Sequence, residues 1–141
     1  METVRHQAGA LAIAHREMIN RLLDSIQKSE HAVSADSCPV QHFHADGSYG
    51  REITMPKGMV VVGKIHKHSH LNIISRGRVL VFTEQDGLQE LCAPVTFVSK
   101  PYTQRVVYVQ ELTVWTTVHV TNKTDPADIE ADIIAKDWED V

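Results

Sequence analysis

Cysteine is scarce in this sequence, which contains only Cys38 and Cys92, far apart and in no C-x-x-C pattern. Two isolated cysteines provide neither a disulfide framework nor a thiolate metal motif, so we expect both to be reduced thiols. No segment approaches the roughly 18 consecutive apolar residues of a membrane-spanning helix, and the N-terminus lacks the apolar stretch of a signal peptide. These absences predict a soluble, cytoplasmic protein.

Runs of positive charge are also missing. The 141 residues include 14 Lys and Arg against 18 Asp and Glu, which gives a net charge of -4. Because binding to a phosphate backbone needs clustered basic residues, the sequence predicts no nucleic-acid partner and no membrane partner. The sequence also has no G-x-S-x-G elbow, no Walker loop and no pair of carboxylates with catalytic spacing.

The sequence does have a long β-rich middle region. Residues 40–122 contain about nine short runs rich in Val, Ile, Thr and aromatic residues, such as VQHFH, YGREITM and LNIIS. Turn residues separate these runs, including ADGS, PKG, QDG and the RG pair at 76–77. Many short strands without intervening helices are typical of an antiparallel sandwich or barrel, so we predict a mainly β fold.

The two ends of the chain have a different pattern. In residues 2–30 apolar side chains recur every three or four positions between charged ones, which predicts an amphipathic helix. We expect its apolar stripe to pack across a homodimer or a higher homo-oligomer. Near the other end, Asp125 and Pro126 form an N-cap and first-turn pattern that predicts a short helix. The residues of this helix expected to pack on the barrel are Ile129, Ile133, Ile134 and Trp138.

The length of the chain fits a single globular domain made of three parts. These are an N-terminal helix and linker (1–37), a β-barrel (38–123) and a C-terminal helix (124–141).

Histidine is the one unusually frequent residue, with nine in the chain. His66, His68 and His70 alternate just before an apolar run, as expected of either a metal site or a solvated strand face. In a straight strand, positions 66 and 70 would lie about 13 Å apart, too far for imidazoles that share one metal ion. Either the backbone bends between Lys67 and Ser69, or only two of the three histidines bind together.

The order of these segments resembles a small single-domain cupin, an RmlC-like jelly roll. The resemblance covers residues 38–123 and rests on KIHKHSHLNIISRGRV, in which Gly77 stands where the closing glycine of the first cupin motif belongs, and on SKPYTQR as the turn of the second motif. In particular the chain is similar to short, uncharacterised cupin proteins of bacteriophages and prophages. The resemblance implies a cupin-type antiparallel β-barrel that holds a divalent metal inside.

The ligands implied by this resemblance depart from the usual cupin set. His70 occupies the position of the family's glutamate, and Arg105, which cannot ligate a metal, lies near the position of the second-motif histidine. The resemblance therefore implies an all-histidine set with His66 and His70 on successive strands and His119 as the third ligand, while His68 is the alternative or an additional ligand. Such a set suits a transition metal such as Zn, Fe, Ni or Mn, with the identity left open.

Three further polar residues are candidates for ligand binding. Arg105 can pair with an anionic group, while Tyr49 and His42 lie where they can line the cavity or its mouth. His119 itself is ambiguous, because Val114, Val118 and Val120 share the opposite face of its strand. If those valines face the core, His119 points away from it.

Three function classes remain open. The first is a metal-dependent enzyme or binding protein that acts on a small molecule. The second is a non-catalytic ligand-binding module, or a phage structural or host-interaction module, on a cupin scaffold. The third is a metal-independent cupin in which a histidine acts as base. Fold alone does not decide among them, so catalysis stays uncertain.

Overall fold

The computed structural model describes residue 17 and residues 37–135. Within this range nine strands and one helix follow one another along the chain. They are β1 (Val40–Ala45), β2 (Ser48–Met55), β3 (Val60–Val62), β4 (Ile65–His66), β5 (His70–Thr83), β6 (Gly87–Cys92), β7 (Val95–Ser99), β8 (Val106–Val120), α1 (Pro126–Ile133) and β9 (Ile134–Ala135).

Two long strands form the centre of the fold. β5 and β8 pair with each other along most of their length, and their opposite edges are shared between shorter strands. β7 pairs with the first part of β5 and β6 with its second part, while β3 and β2 pair with the first and second parts of β8. All these pairings are antiparallel, and β1 extends the sheet beyond β2. The predicted mainly β, antiparallel fold is therefore confirmed.

The predicted turn at the RG pair was wrong, because β5 runs without interruption through residues 76–77. The register between β5 and β8 shifts at three places from Ile74 to Val79, so the strand bulges and bends there instead of turning back. Gly77 has φ +98°, and a Cβ at this position would collide with the carbonyl oxygen of Leu112 and with Thr113 Oγ1. The glycine thus permits a bend that carries one strand across two parts of the barrel.

The C-terminal helix agrees with its sequence signal. Asp125 Oδ1 accepts hydrogen bonds from the backbone N–H groups of Ala127 and Asp128, and Pro126 opens the helix. Ile129 and Ile133 are buried in a small cluster with Tyr49. Trp138 and the predicted N-terminal helix lie outside the described residues, apart from Glu17, which is helical and exposed.

The short strand β9, directly after α1, pairs with β4, the strand that contains His66. In this pairing His66 is opposite Ile134, and the N–H of Lys67 donates to the carbonyl oxygen of Ile133 at 2.8 Å. On the other side, the N–H of His66 donates to the carbonyl oxygen of Thr103 at 3.2 Å. Because backbone bonds hold it from both sides, β4 presents His66 at a fixed place in the barrel.

The main core fills the barrel from the bend toward β3 and β6. Ile74, Val79 and Val109 are fully buried there, and Trp115 packs against them. Both cysteines are free thiols, with Cys38 buried in this core and Cys92 exposed. Among the described residues, no helix combines the length and the apolar character needed to cross a membrane.

Candidate functional site

Three histidines from three different strands meet at one end of the barrel. The ring centroids of His66 and His70 lie 4.5 Å apart, those of His70 and His119 4.6 Å, and those of His66 and His119 5.3 Å. His70 and His119 are 5% and 4% exposed. The structure therefore brings together the three residues singled out as the preferred set.

The geometry of the strands explains how alternate histidines separate. Ile65–His66 is a two-residue strand, and the chain turns through residues 67–69 before β5 starts at His70. This change of direction brings the two rings together, although His66 and His70 are four positions apart along the chain. His68, within the turn, is exposed, and its Nε2 lies 3.1 Å from the carbonyl oxygen of Asp132, so it faces α1 and not the other rings.

The orientation of β8 decides the position of His119. Along the second part of this strand, Thr113, Trp115 and His119 are buried, while Val120 is 85% exposed. The valine face therefore points outward and the Trp115 face points into the barrel. His119 lies inside because it shares the inward face of β8 with Thr113 and Trp115.

Two buried ring nitrogens of the cluster have no hydrogen-bond partner in the described part of the chain. His70 Nδ1 lies 3.4 Å from the carbonyl oxygen of His68 and, as donor, leaves Nε2 with a free lone pair. His70 Nε2 and His66 Nδ1 are buried without a hydrogen-bond partner. His119 Nε2, by contrast, lies 3.1 Å from Thr117 Oγ1. Buried, unpaired imidazole nitrogens are costly unless something binds them.

The three imidazoles are held in the neutral form. Burial, together with the neighbouring His70 and His119, lowers the pKa of His66 to about 3. Burial likewise lowers the pKa of His70 to about 4, against the opposing effect of the bond with the His68 carbonyl, and that of His119 to about 4. Neutral imidazole is the form that ligates transition metals.

A completed coordination geometry is not present, however. Within residues 37–135, no three His, Cys, Asp or Glu side chains are arranged so that they could hold a metal ion as they stand. The fit of the cluster to a metal rests on its burial, its charge state and its two unpaired nitrogens. Reorientation of the rings, starting with release of His119 from Thr117, is needed to aim three nitrogens at one point.

A cavity of about 530 Å³ opens beside His66 and His119. Tyr49 and His42, both predicted to contact a ligand, line it. His42 Nδ1 lies 2.6 Å from Tyr49 Oη, and the Tyr49 ring also stacks on His44 and His119, with centroids 5.2 and 6.1 Å away. Burial raises the pKa of Tyr49, so its hydroxyl keeps its proton and can act as a donor.

Arg105, the third predicted ligand contact, lies elsewhere in the barrel. It lines a separate cavity of about 230 Å³ and donates a hydrogen bond to Ser99 Oγ. Its guanidinium carbon lies 5.6 Å from the ring centroid of Phe97 and 5.7 Å from that of Trp115. Burial lowers its pKa to about 10. These contacts indicate a packing role for Arg105 between the two rings.

Sequence reasoning missed the interior polar residue Asn72, and it considered Arg51 only as a rim or acid/base residue together with Tyr49 and Glu52. Asn72 is fully buried, donates to Ser99 Oγ at 2.6 Å and accepts from Trp115 Nε1 at 3.1 Å. Arg51 lines the large cavity. The period-2 alternation of strands could have found both, since Asn72 follows His70 by two positions and Arg51 follows Tyr49 by two.

Comparison with known proteins shows a likeness of fold to solved structures. No family model matches the chain, and no curated protein matches it. Among solved structures, an RmlC-like cupin family protein with a double-stranded β-helix fold from Methanocaldococcus jannaschii has a TM-score of 0.52 at 11% identity, covering 68% of this chain and 88% of that one.

Two further structures agree. An uncharacterized conserved protein with a double-stranded β-helix domain from Klebsiella pneumoniae has a TM-score of 0.53 at 12% identity, over 68% of this chain and 88% of that one. A cupin 2 domain-containing protein from Halorhodospira halophila has a TM-score of 0.52 at 15% identity, over 79% and 78%.

Identities this low establish a likeness of fold alone. The chain has the cupin, or double-stranded β-helix, fold, which confirms the architecture expected from sequence. The phage or prophage origin implied by the resemblance is not supported by these neighbours.

Proposed function

We propose that this protein is a metal-binding cupin, in which His66, His70 and His119 hold a divalent transition metal and the adjoining cavity receives a small molecule. The observation that carries the proposal is the convergence of three neutral imidazoles, of which His70 and His119 are buried and His66 is half-buried. His66 and His70 each have a buried ring nitrogen without a partner among the described residues. Zn, Fe, Ni and Mn are the candidate metals; imidazole suits Zn, Fe and Ni, whereas Mn prefers oxygen donors and fits an all-histidine set less well.

Each histidine contributes in a different way. His70 has its Nδ1 beside the His68 carbonyl oxygen, a contact that fixes the ring orientation and leaves Nε2 for the metal. His66 stands on a strand held by backbone bonds from both sides, so its backbone is fixed while its ring can reorient toward a metal. Arg105 supplies no ligand, so positions around the ion would stay open to water or substrate.

A metal held there would act as a Lewis acid that polarises a carbonyl oxygen or lowers the pKa of a bound water. The chain itself supplies the surroundings of this chemistry. Tyr49 offers a protonated hydroxyl at the cavity wall, and His42 accepts from or donates to that hydroxyl at 2.6 Å. Ile129 and Ile133 from α1 form an apolar part of the cavity wall.

Metal analysis of purified protein tests the proposal. We expect stoichiometric transition metal in the wild-type protein and its loss in His66→Ala and His70→Ala, with a lower unfolding temperature after chelation because metal binding stabilises the folded state. His68→Ala is the matched control, since it removes a histidine of the same stretch that faces α1. Metal-free wild-type protein that takes up no added metal would refute the proposal. Loss of metal only in His68→Ala would show that the metal binds at His68 and not at the three-histidine cluster.

A non-catalytic ligand-binding module is the second candidate function. It is favoured by the absence, among residues 37–135, of a side-chain arrangement already set to hold a metal. In that case the unpaired nitrogens of His66 and His70 would accept hydrogen bonds from the ligand itself. A histidine acting as general base near neutral pH fits less well, because pKa values of about 3 and 4 make these imidazoles weak bases.

A further inference from the structure

Among the described residues that line the large cavity, positively charged side chains outnumber negatively charged ones. Three permanently charged residues contribute to its wall, namely Arg51, Lys64 and Glu130. Lys64 Nζ lies 2.5 Å from Glu130 Oε1, so these two neutralise each other at the rim. Since His66 and His119 are neutral, Arg51 is one positive charge in excess among the cavity-lining residues that the structure describes, although the chain as a whole carries a net charge of -4.

Arg51 is placed in the interior by the alternation of β2. Tyr49, Ile53 and Met55 are buried on the same face of this strand, and Arg51 lies between Tyr49 and Ile53. Its register partners are His42 on β1 and Thr117 on β8, which both line the same cavity. Arg51 is half-buried there, next to buried neighbours on its face of the strand. Withdrawing a guanidinium from water even in part is costly unless a partner pairs with it.

No partner for this charge is found in the described part of the chain. Within residues 37–135 no carboxylate lies within 4.0 Å of Arg51, and no hydrogen bond of its guanidinium is present there. Its positive charge nevertheless reaches four groups around the cavity. Burial raises the pKa of Cys38 and Tyr49 and the charge of Arg51 opposes that rise, whereas burial lowers the pKa of His66 and His119 and Arg51 adds to that decrease. Arg105, in contrast, has Ser99 and two aromatic faces as partners.

We propose that the large cavity binds a small organic carboxylate, whose charged group pairs with Arg51 while its apolar part lies against α1. Arginine presents a planar fork that matches the two oxygens of a carboxylate. The opposite wall consists of Ile129, Ile133 and Ile134, which suits a hydrocarbon or aromatic body. A volume of about 530 Å³ accommodates a molecule well above the size of a free inorganic anion.

This inference names the ligand class for the cavity of the proposed function, and it depends on that function only through the shared cavity. The carboxylate anchors at Arg51 and not at the histidines, so its binding does not need the metal. A metal held by the three histidines would border the same cavity, since His66 and His119 line it.

Binding of benzoate to chelator-treated protein tests the inference. We expect saturable binding of benzoate by calorimetry at millimolar concentration, with weaker binding of benzamide, which has the same shape but no charge. Arg51→Gln should weaken benzoate binding about tenfold or more, which corresponds to about 1.4 kcal/mol at 25 °C. Arg78→Gln is the matched control, because it removes an exposed arginine that pairs with Glu111 on the outer surface.

Each outcome decides the inference. Benzoate binding that is lost in Arg51→Gln and kept in Arg78→Gln supports it, whereas equal binding by both variants, equal binding of benzamide, or no benzoate binding by the wild-type protein overturns it. Should Arg51→Gln fail to fold by circular dichroism, Arg51→Lys replaces it, and an unchanged affinity in a folded Arg51→Lys contradicts recognition by the fork. Metal content is measured separately on the same preparations, so failure of the metal proposal is distinguished from failure of this one.

Discussion

Acidification should destabilise the metal-free protein well above the pH at which its carboxylates titrate. The cause is the histidine cluster. In the unfolded chain each histidine has a pKa of about 6.5, whereas in the folded protein the pKa is about 3 for His66 and about 4 for His70 and His119. Between these values and 6.5 the unfolded chain binds protons that the folded protein does not bind. The free energy of unfolding therefore decreases as the pH drops below 6.5, and it continues to decrease until the cluster itself protonates near pH 4.

The size of the effect follows from the same pKa values. At about pH 5.5, one unit below the unfolded pKa, protonation favours the unfolded state by about 1.4 kcal/mol for each histidine. The three together give about 4 kcal/mol, a large part of the roughly 5–15 kcal/mol by which a domain is stable. At about pH 7.5 the contribution is close to zero, because the histidines are neutral in both states.

Urea unfolding monitored by circular dichroism at a series of pH values measures this directly. The free energy of unfolding of chelator-treated protein should decrease by about 4 kcal/mol between about pH 7.5 and about pH 5.5. His119→Asn should reduce this decrease by about a third, because it removes one of the three proton sites. A free energy of unfolding that stays constant across this range, or that increases on acidification, would show that the histidines are not buried together as neutral groups.

Three further predictions concern the fold around the site. Gly77→Ala should destabilise the protein by at least about 2 kcal/mol in urea unfolding, because φ +98° and a Cβ only 2.7 Å from Thr113 Cα both oppose a side chain; a stable variant would contradict the bend described for β5. Asn72→Ala should lower the free energy of unfolding by about 1–3 kcal/mol, because it leaves the buried Trp115 Nε1–H without an acceptor; unchanged stability together with an unchanged tryptophan emission maximum would argue against this contact. Asp125→Ala should cost about 1 kcal/mol through loss of the cap of α1, and an unchanged midpoint would mean that the cap is not used.

The strands themselves were largely predictable from sequence. The runs around β1, β2, β6 and β7 are β-rich and bounded by Gly, Asp or Pro, and the structure has strands there with similar bounds. The RG pair misled because a glycine between two apolar runs is typical of a turn, whereas at Gly77 it permits a bulge inside one strand. Local residue types cannot separate these two cases, since the partner strand β8 decides whether the chain bends or reverses.

The three histidines of the candidate site were predicted from sequence, but not every other residue around them was. His66, His70 and His119 were selected partly by geometry, because a straight strand cannot join all three alternating histidines. Arg51 was not selected, although it lines the same cavity, because an arginine in an alternating strand is usually solvated. Arg105 was selected for a ligand, yet its ring contacts arise from Phe97 and Trp115, which are distant in sequence from each other.

The sequence by itself determined the local preferences: the alternating β-rich runs, the cap at Asp125 and a glycine where no side chain fits. Only the tertiary structure decided which face of each strand points inward. A one-residue change of register moves every side chain to the opposite face, and register depends on hydrogen bonds to strands far along the chain. For that reason His119 lies inside with the valines of β8 outside, and His70 joins the cluster while His68 faces α1.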